Sequence, residues 1–258
     1  MSFYTTVAQF YDAENADKRD DIDLYLELAE EVGGSIFEVG CGSGRVVLPL
    51  SREGYEVVGI DNNEAMLDLA RARVEQHPQD FETLTLLQGD VLTATLPNQK
   101  FNLILLSYNM LMHFHEQDQQ IALLKRMRSL IADEGLLVID LPNAGETFAT
   151  ADSDAITLER TFIEPVNGHM VMQQAVSTLD RTSQLMRVLW IYDEITEDGT
   201  LLRTTAPTLF RYFFPYEVQL LLQVSGFQVD AFYGDTDCSP FEDTCPRMIV
   251  FAQPIPNE

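Results

Sequence analysis

The chain has 258 residues, 46% of them hydrophobic, and its 41 acidic against 16 basic side chains give a formal charge of −25. That is enough apolar material for a large core, and the negative field disfavours nucleic acid and anionic membranes, which need basic side chains to neutralise phosphate. No apolar run reaches the roughly 18–20 residues that cross a bilayer, the N-terminus lacks the basic-then-apolar order of a secretion signal, and three cysteines without framework spacing predict a cytoplasmic protein with Cys238 and Cys245 unpaired.

Residues 20–32, "DDIDLYLELAEEV", place Ile22, Leu24, Tyr25, Leu28, Ala29 and Val32 at helical spacing. "SIFEVG" (35–40) then reads as a buried strand. A glycine-rich turn leads into "RVVLPLSREG" (45–54), read as a helix closed by Gly54. "YEVVGID" (55–61) is a second strand. The helix "NNEAMLDLARARVEQHP" (62–78) follows, capped by Asn62 or Asn63 and stopped by Pro78. "ETLTLLQGD" and "FNLILLSYN" are a third and a fourth strand, "EQDQQIALLKRMRSLI" a helix whose bases form a solvated face, and "GLLVIDLP" (135–142) a fifth strand. Continuous apolar strands alternating with helices predict a parallel sheet covered on both faces.

From about 155 to 212 the period changes. "HMVMQQAVSTLD", "QLMRVLWIYDEITED" and "TLLRTTAPTLFRYF" alternate as strands do, with Asp198-Gly199 as a hairpin signal. They predict a three-stranded antiparallel meander inserted after the fifth parallel strand. "PYEVQLLLQVS" returns to helix, with Pro215 suited to its first turn, and "GFQVDAFYG" and "PRMIVFAQP" close the chain as two strands. The fold class is therefore α/β: a doubly wound, mostly parallel, seven-stranded Rossmann-like sheet with an inserted antiparallel meander. One domain, 1–258, is expected, with 155–212 roofing the site.

Gly40, Gly42 and Gly44 in "FEVGCGSGR" sit in a strand-to-helix turn, where a bare backbone lets a ligand approach and a helix start adds N–H donors. Asp61 ends the second strand, where a carboxylate can accept from both hydroxyls of a ribose. Asp90 ends the third, where it can accept from an exocyclic amine such as that of adenine. As a plain structural alternative, Asp61 caps the next helix and Asp90 a turn.

"EVGCGSGR", "VVGIDNNEAML" and "LLQGDV" together resemble the class I S-adenosylmethionine-dependent methyltransferases, from about Phe10 to the C-terminus. The glycine spacing is G-x-G-x-G, not the G-x-G-x-x-G of dinucleotide binders. The antiparallel insertion is similar to that of a small-molecule branch of the family. The resemblance implies S-adenosylmethionine as cofactor. Glu38 and the backbone of Gly40, Cys41 and Gly42 would face its methionine end. Asp61 would hold the ribose, Asn62 and Met66 would flank the adenine, and Asp90 and Val91 would bind its edge and face. Ser107 and Tyr108 would line the methyl region, and Tyr11 would close over the cofactor as part of a lid, unless it is a helix-packing aromatic.

Methyl transfer from a sulfonium mainly needs positioning and a dry site. A base matters only where the acceptor must lose a proton. His113, Tyr108 and His115 are the candidate catalytic residues, and Tyr108, Asn109, Trp190, Arg211 and Tyr212 the candidate acceptor contacts. "SYNM" after the fourth strand departs from the "[DNS]PP[YF]" signature of base and glutamine methylation. The histidines and cysteines show no zinc spacing, so no metal is expected. The acceptor expected is a small molecule with an amine or hydroxyl. Exposed apolar sheet faces would allow a homo-oligomer. An NAD-type oxidoreductase and a non-catalytic nucleoside-binding regulator are the alternatives.

Overall fold

In the computed structural model the described residues, 3–145 and 153–256, form two compact units. The larger is Asp20–Ala149 with Phe213–Glu258, the smaller Met1–Arg19 with Thr150–Tyr212.

The chain begins with helices α1 (Phe3–Glu14) and α2 (Asp20–Val32), then β1 (Ile36–Val39), α3 (Val47–Arg52), β2 (Val57–Asp61), α4 (Glu64–Gln76) and β3 (Leu84–Gln88). It continues through β4 (Phe101–Leu106), a 3-10 turn (Met110–His113), α5 (Gln117–Leu130) and β5 (Ile131–Pro142). Four long strands follow, β6 (Ser153–Ile163), β7 (Met170–Asp180), β8 (Leu185–Ile195) and β9 (Leu201–Arg211). Then come α6 (Pro215–Val224), β10 (Phe227–Tyr233) and β11 (Arg247–Pro254).

In the larger unit the sheet order is β10-β11-β5-β4-β1-β2-β3, seven strands. The pairs among β1 to β5 are parallel, and β11 runs antiparallel to both β5 and β10. The expected doubly wound sheet is therefore present. β1 sits at the reversal of strand order, between β2 and β4, where open α/β sheets leave a crevice at their C-terminal ends. Its register pairs Glu38 with Leu105 of β4, so Ser107 lies just past Glu38. On one face Leu24, Tyr25 and Leu28 of α2 and Val47 and Leu50 of α3 pack against Ile36, Leu103, Leu105 and Val138. Two of the bases on α5 are not solvated as expected. Arg126 donates to the carbonyls of Leu92, at 2.6 Å, and Ala94, and Arg128 Nε donates to Gly226 O at 3.1 Å. They staple the helix to neighbouring loops.

The smaller unit differs from the sequence expectation in two ways. Its sheet has four strands, β6-β7-β8-β9, all antiparallel, not three. The N-terminal helix α1 also belongs to it, through Val7 and Phe10 packed on Val171, Tyr192 and Ala206. The rings of Phe10 and Tyr192 stack at 4.7 Å. The Asp198-Gly199 turn closes the hairpin of β8 and β9: Gly199 has φ +82°, and Asp198 Oδ1 accepts from Thr200 N at 3.0 Å.

Candidate active site

β1 runs straight into the glycine-rich turn. Gly40 has φ +75° and Gly44 φ +86°, a region where a side chain is strained. Space imposes the same demand. A Cβ on Gly44 would lie 2.8 Å from Leu48 Cγ, and one on Gly40 2.2 Å from Met110 Sδ. Three N–H groups of the turn are already used. Gly40 and Cys41 donate to Ile60 O at 2.7 and 3.2 Å, and Gly42 donates to Asp61 Oδ2 at 2.9 Å. Two donors near the head of the next helix are spent as well: Gly44 N donates to Cys41 O and Leu48 N to Gly44 O, and α3 itself is six residues long. A pyrophosphate nest needs such groups free. This turn instead offers close approach without an anion cradle.

The Cys41 side chain turns inward. A Cβ on Gly59 would meet its Sγ at 2.8 Å, and burial pushes the thiol's pKa well above its usual value. Cys41 thus locks the turn to β2.

Asp61 carries both a structural and a binding capacity. Its Oδ1 accepts from Asn63 N at 2.7 Å while Oδ2 holds Gly42 N. Its remaining lone-pair capacity can accept from a hydroxyl donor. Burial raises its pKa above its ordinary value, against the pull of the Asn63, Gly42 and Asn62 N–H groups. Asn63, not Asn62, caps α4, its Oδ1 accepting from Met66 N at 3.1 Å. Asn62 is exposed, while the buried Met66 lies with its methyl 3.3 Å from where a Gly42 Cβ would be. Asp90 is exposed and caps its own turn, Oδ1 accepting from Leu92 N at 2.8 Å, beside the buried Val91.

Glu38 is 2% exposed, and Ser107 Oγ donates to its Oε1 at 2.5 Å. Burial pushes its carboxyl up to about 7. Ser107 and Arg45 oppose that shift, and Asp21 and Asp61 add to it. Glu38 Oε2 is buried with no hydrogen-bond partner among the described residues. An acceptor of this kind is costly unless a donor arrives.

Two arginines that the sequence reading did not place in the site brace the turn after β4. Arg45 makes a two-pronged pair with Asp21 of α2, at 2.7 and 2.6 Å, and lies 5.0 Å over the Tyr108 ring. Arg247 of β11 donates to Asp140 Oδ1 at 2.8 Å and to Asn109 Oδ1 at 2.9 Å. Asn109, expected to meet the acceptor, is thus partly committed to the protein. Asn143 staples a loop, donating to Asp243 O at 3.0 Å and Cys245 O at 2.9 Å. His113 closes the 3-10 turn; burial, then the nearby His115, holds its ring well below the usual value, at about 4. It is neutral at physiological pH and a weak base.

Residues 36–135 match the family model described as a methyltransferase domain. The chain is 25% identical over 220 residues to the cypemycin N-terminal methyltransferase of a Streptomyces species, covering 84% of this chain and 82% of that protein. It is 25% identical over 146 residues to YqeM of Bacillus subtilis, named as a methyltransferase, covering 54% of this chain and a little over half, 58%, of that protein. The CcbJ methyltransferase of Streptomyces caelestis superposes with a TM-score of 0.79 at 21% identity, over 95% of this chain and 96% of that one, a likeness of fold.

Residues 36–135 carry a methyltransferase domain, and the fold is that of the class I S-adenosylmethionine-dependent methyltransferases. S-adenosylmethionine is the cofactor of that domain, and the residues present fit it. Glu38 offers an unfilled buried acceptor for a cationic group, and Asp61 offers two oxygens for a diol. The turn between them is bare, and the N–H groups of Gly40, Cys41 and Gly42 are spent.

The remaining expected site residues lie in the smaller unit. Tyr11 is on α1, its ring edge-on to Tyr4 at 6.2 Å. Trp190 packs against the α1 cluster, its indole N–H buried and without a partner among the described residues. Arg211 is spent on backbone, donating to Tyr212 O at 3.1 Å and Gln184 O at 3.4 Å, and Tyr212 is buried beside it.

Proposed function

We propose that the chain methylates an amine nitrogen of a small, neutral or cationic molecule. The observation that carries this reading is a site built for positive charge. Its glycine turn keeps no N–H of Gly40, Cys41 or Gly42 for an anion, and two carboxyl groups, Glu38 and Asp61, flank it. The formal charge of −25 acts in the same sense, favouring encounter with cations and slowing polyanions. The relative matched over 84% of this chain is named for methylating an N-terminus, which supports nitrogen over oxygen.

When bound, the cofactor would supply an activated methyl carbon for the nitrogen lone pair. Glu38 would hold the cofactor's ammonium, Asp61 its ribose, and Asp90 and Val91 its adenine. Ser107 keeps Glu38 oriented. Tyr108 lines the methyl path, and its ring already accepts one cation on its face, Arg45. His113, held neutral with His115 as its neighbour, is too weak a base to take a proton from an ammonium, so the proton of the methylated amine would leave to solvent.

The test is transfer of a labelled methyl group from S-adenosylmethionine into a metabolite extract, with total RNA, DNA and protein offered separately at low and moderate salt. Label in low-mass amines is the expected result. Label mainly in a macromolecular fraction, or in hydroxyl compounds, overturns the proposed acceptor class.

A further inference from the structure

Tyr108 and Asn109 follow β4 with φ +42° and +69°. Neither is glycine, so the left-handed turn carries strain and persists only where its surroundings dictate it. Asp140, at the end of β5, supplies much of that dictation. Its carbonyl accepts from Asn109 N at 2.9 Å, and its buried carboxylate accepts from Tyr108 N. Arg247 completes the clamp. It reaches Asp140 Oδ1 through Nε, at 2.8 Å, and through a terminal nitrogen, and that same nitrogen reaches Asn109 Oδ1 at 2.9 Å. Asp140 is 2% exposed, so the pair works away from bulk water.

We propose that Arg247 and Asp140 are a positioning pair for methyl transfer. They hold the Tyr108–Asn109 turn left-handed so that Tyr108 faces the reacting centre. The inference rests on the methyltransferase reading and assigns a task to a residue 138 positions from Asn109 in sequence. Arginine is needed because its planar fork spans two acceptors at once. A lysine ammonium can keep Asp140 but not both.

The test places 3-fluorotyrosine at position 108 of the full chain and records its fluorine spectrum with and without S-adenosylhomocysteine. N109G removes the amide that Arg247 holds while accepting a positive φ freely. R247K keeps a charge on Asp140, and R247M removes both contacts. The resonance is expected to shift or broaden progressively from N109G through R247K to R247M. Affinity for S-adenosylhomocysteine by calorimetry should stay within about threefold throughout. With an amine acceptor, kcat should fall in the same order, at least tenfold for R247M, with KM little changed and R247K recovering part of the loss. An unchanged resonance in N109G and R247K overturns the proposal and leaves the pair as a stabilising contact. Those two variants decide the matter even where R247M fails to fold. Failure of the wild-type chain to bind S-adenosylhomocysteine would instead strike at the methyltransferase reading.

Discussion

Glu14 on α1 and Glu38 on β1 are both buried, and burial pushes both carboxyl groups up to about 7. Their surroundings differ. Glu14 Oε2 accepts from Tyr192 OH at 2.9 Å and from Gln173 Nε2 at 2.7 Å, and Oε1 from Asn15 Nδ2 at 3.4 Å. Glu38 has Ser107 on one oxygen, and its other oxygen is unfilled among the described residues. Perturbed acidity alone would mark both as functional. The count of satisfied lone pairs separates them: Glu14 anchors α1 to its sheet, and Glu38 keeps an acceptor that a ligand's donor could fill.

The largest effect should come from titrating the anchor. The folded Glu14 binds its proton up to about pH 7 and the unfolded one only to its ordinary 4.5, so the folded state holds more protons between those values. Its stabilising contribution is full below the unfolded value and is lost as pH rises through about 7, a change of about 3 kcal/mol. Glu14→Gln should flatten that part of the slope. Trp190, the sole tryptophan, sits in the same unit and reports its unfolding in urea. An unchanged slope in the variant would end the anchor reading.

Next in size is Tyr192→Phe, which removes a hydroxyl donor from a buried carboxyl group. A loss of about 2 kcal/mol is expected from the same urea curves. Affinity for S-adenosylhomocysteine, measured by calorimetry, should stay within about twofold. An equal loss of affinity would mean that Glu14 also serves the ligand, and the two carboxyl groups would not be distinct in role.

Asp61→Ala should weaken S-adenosylhomocysteine binding at least tenfold, since a charged acceptor of two hydroxyls disappears and the Gly42 and Asn63 N–H groups lose their partner. Unchanged affinity would reduce Asp61 to a cap. The smallest effect is the most specific. A cationic ligand on Glu38 needs the ionised carboxylate, so affinity for S-adenosylhomocysteine should fall about tenfold from pH 8 to pH 6. Glu38→Gln should lower affinity and remove that dependence. A wild-type affinity flat across this range would show that Oε2 is not where the ammonium binds.

The parts that sequence made readable were those with local causes. β1 to β5 are continuous apolar runs, and Asp198-Gly199 and Pro215 act through their own backbone dihedrals. β6 escaped because register shifts after Ser153 and after Leu158 break the two-residue alternation, leaving Ile156 and Leu158 exposed. α1 escaped because "FYTTVAQFYDAE" has no acid in its first turn and includes β-branched Thr5, Thr6 and Val7. In the site, Glu38 and Asp61 were legible from the glycine motif beside them. Arg247 and Asp21 were not, because their partners Asp140 and Arg45 lie 107 and 24 residues away, and no spacing rule joins them. The spent N–H groups of the turn were also hidden, since a hydrogen bond to Ile60 O is a property of register and not of composition.

Cys41 gives the turn a chemical clock. Its thiol is 4% exposed and its thiolate is disfavoured, so an alkylating reagent must wait for the segment to separate from β2 before it can react. Cys238 and Cys245, half-buried, meet the reagent without that delay. The slow phase of modification therefore measures how often the turn opens, residue by residue in a mass spectrum, with no label introduced. A ligand that rests on the turn would lengthen that waiting time even where it causes no change of shape.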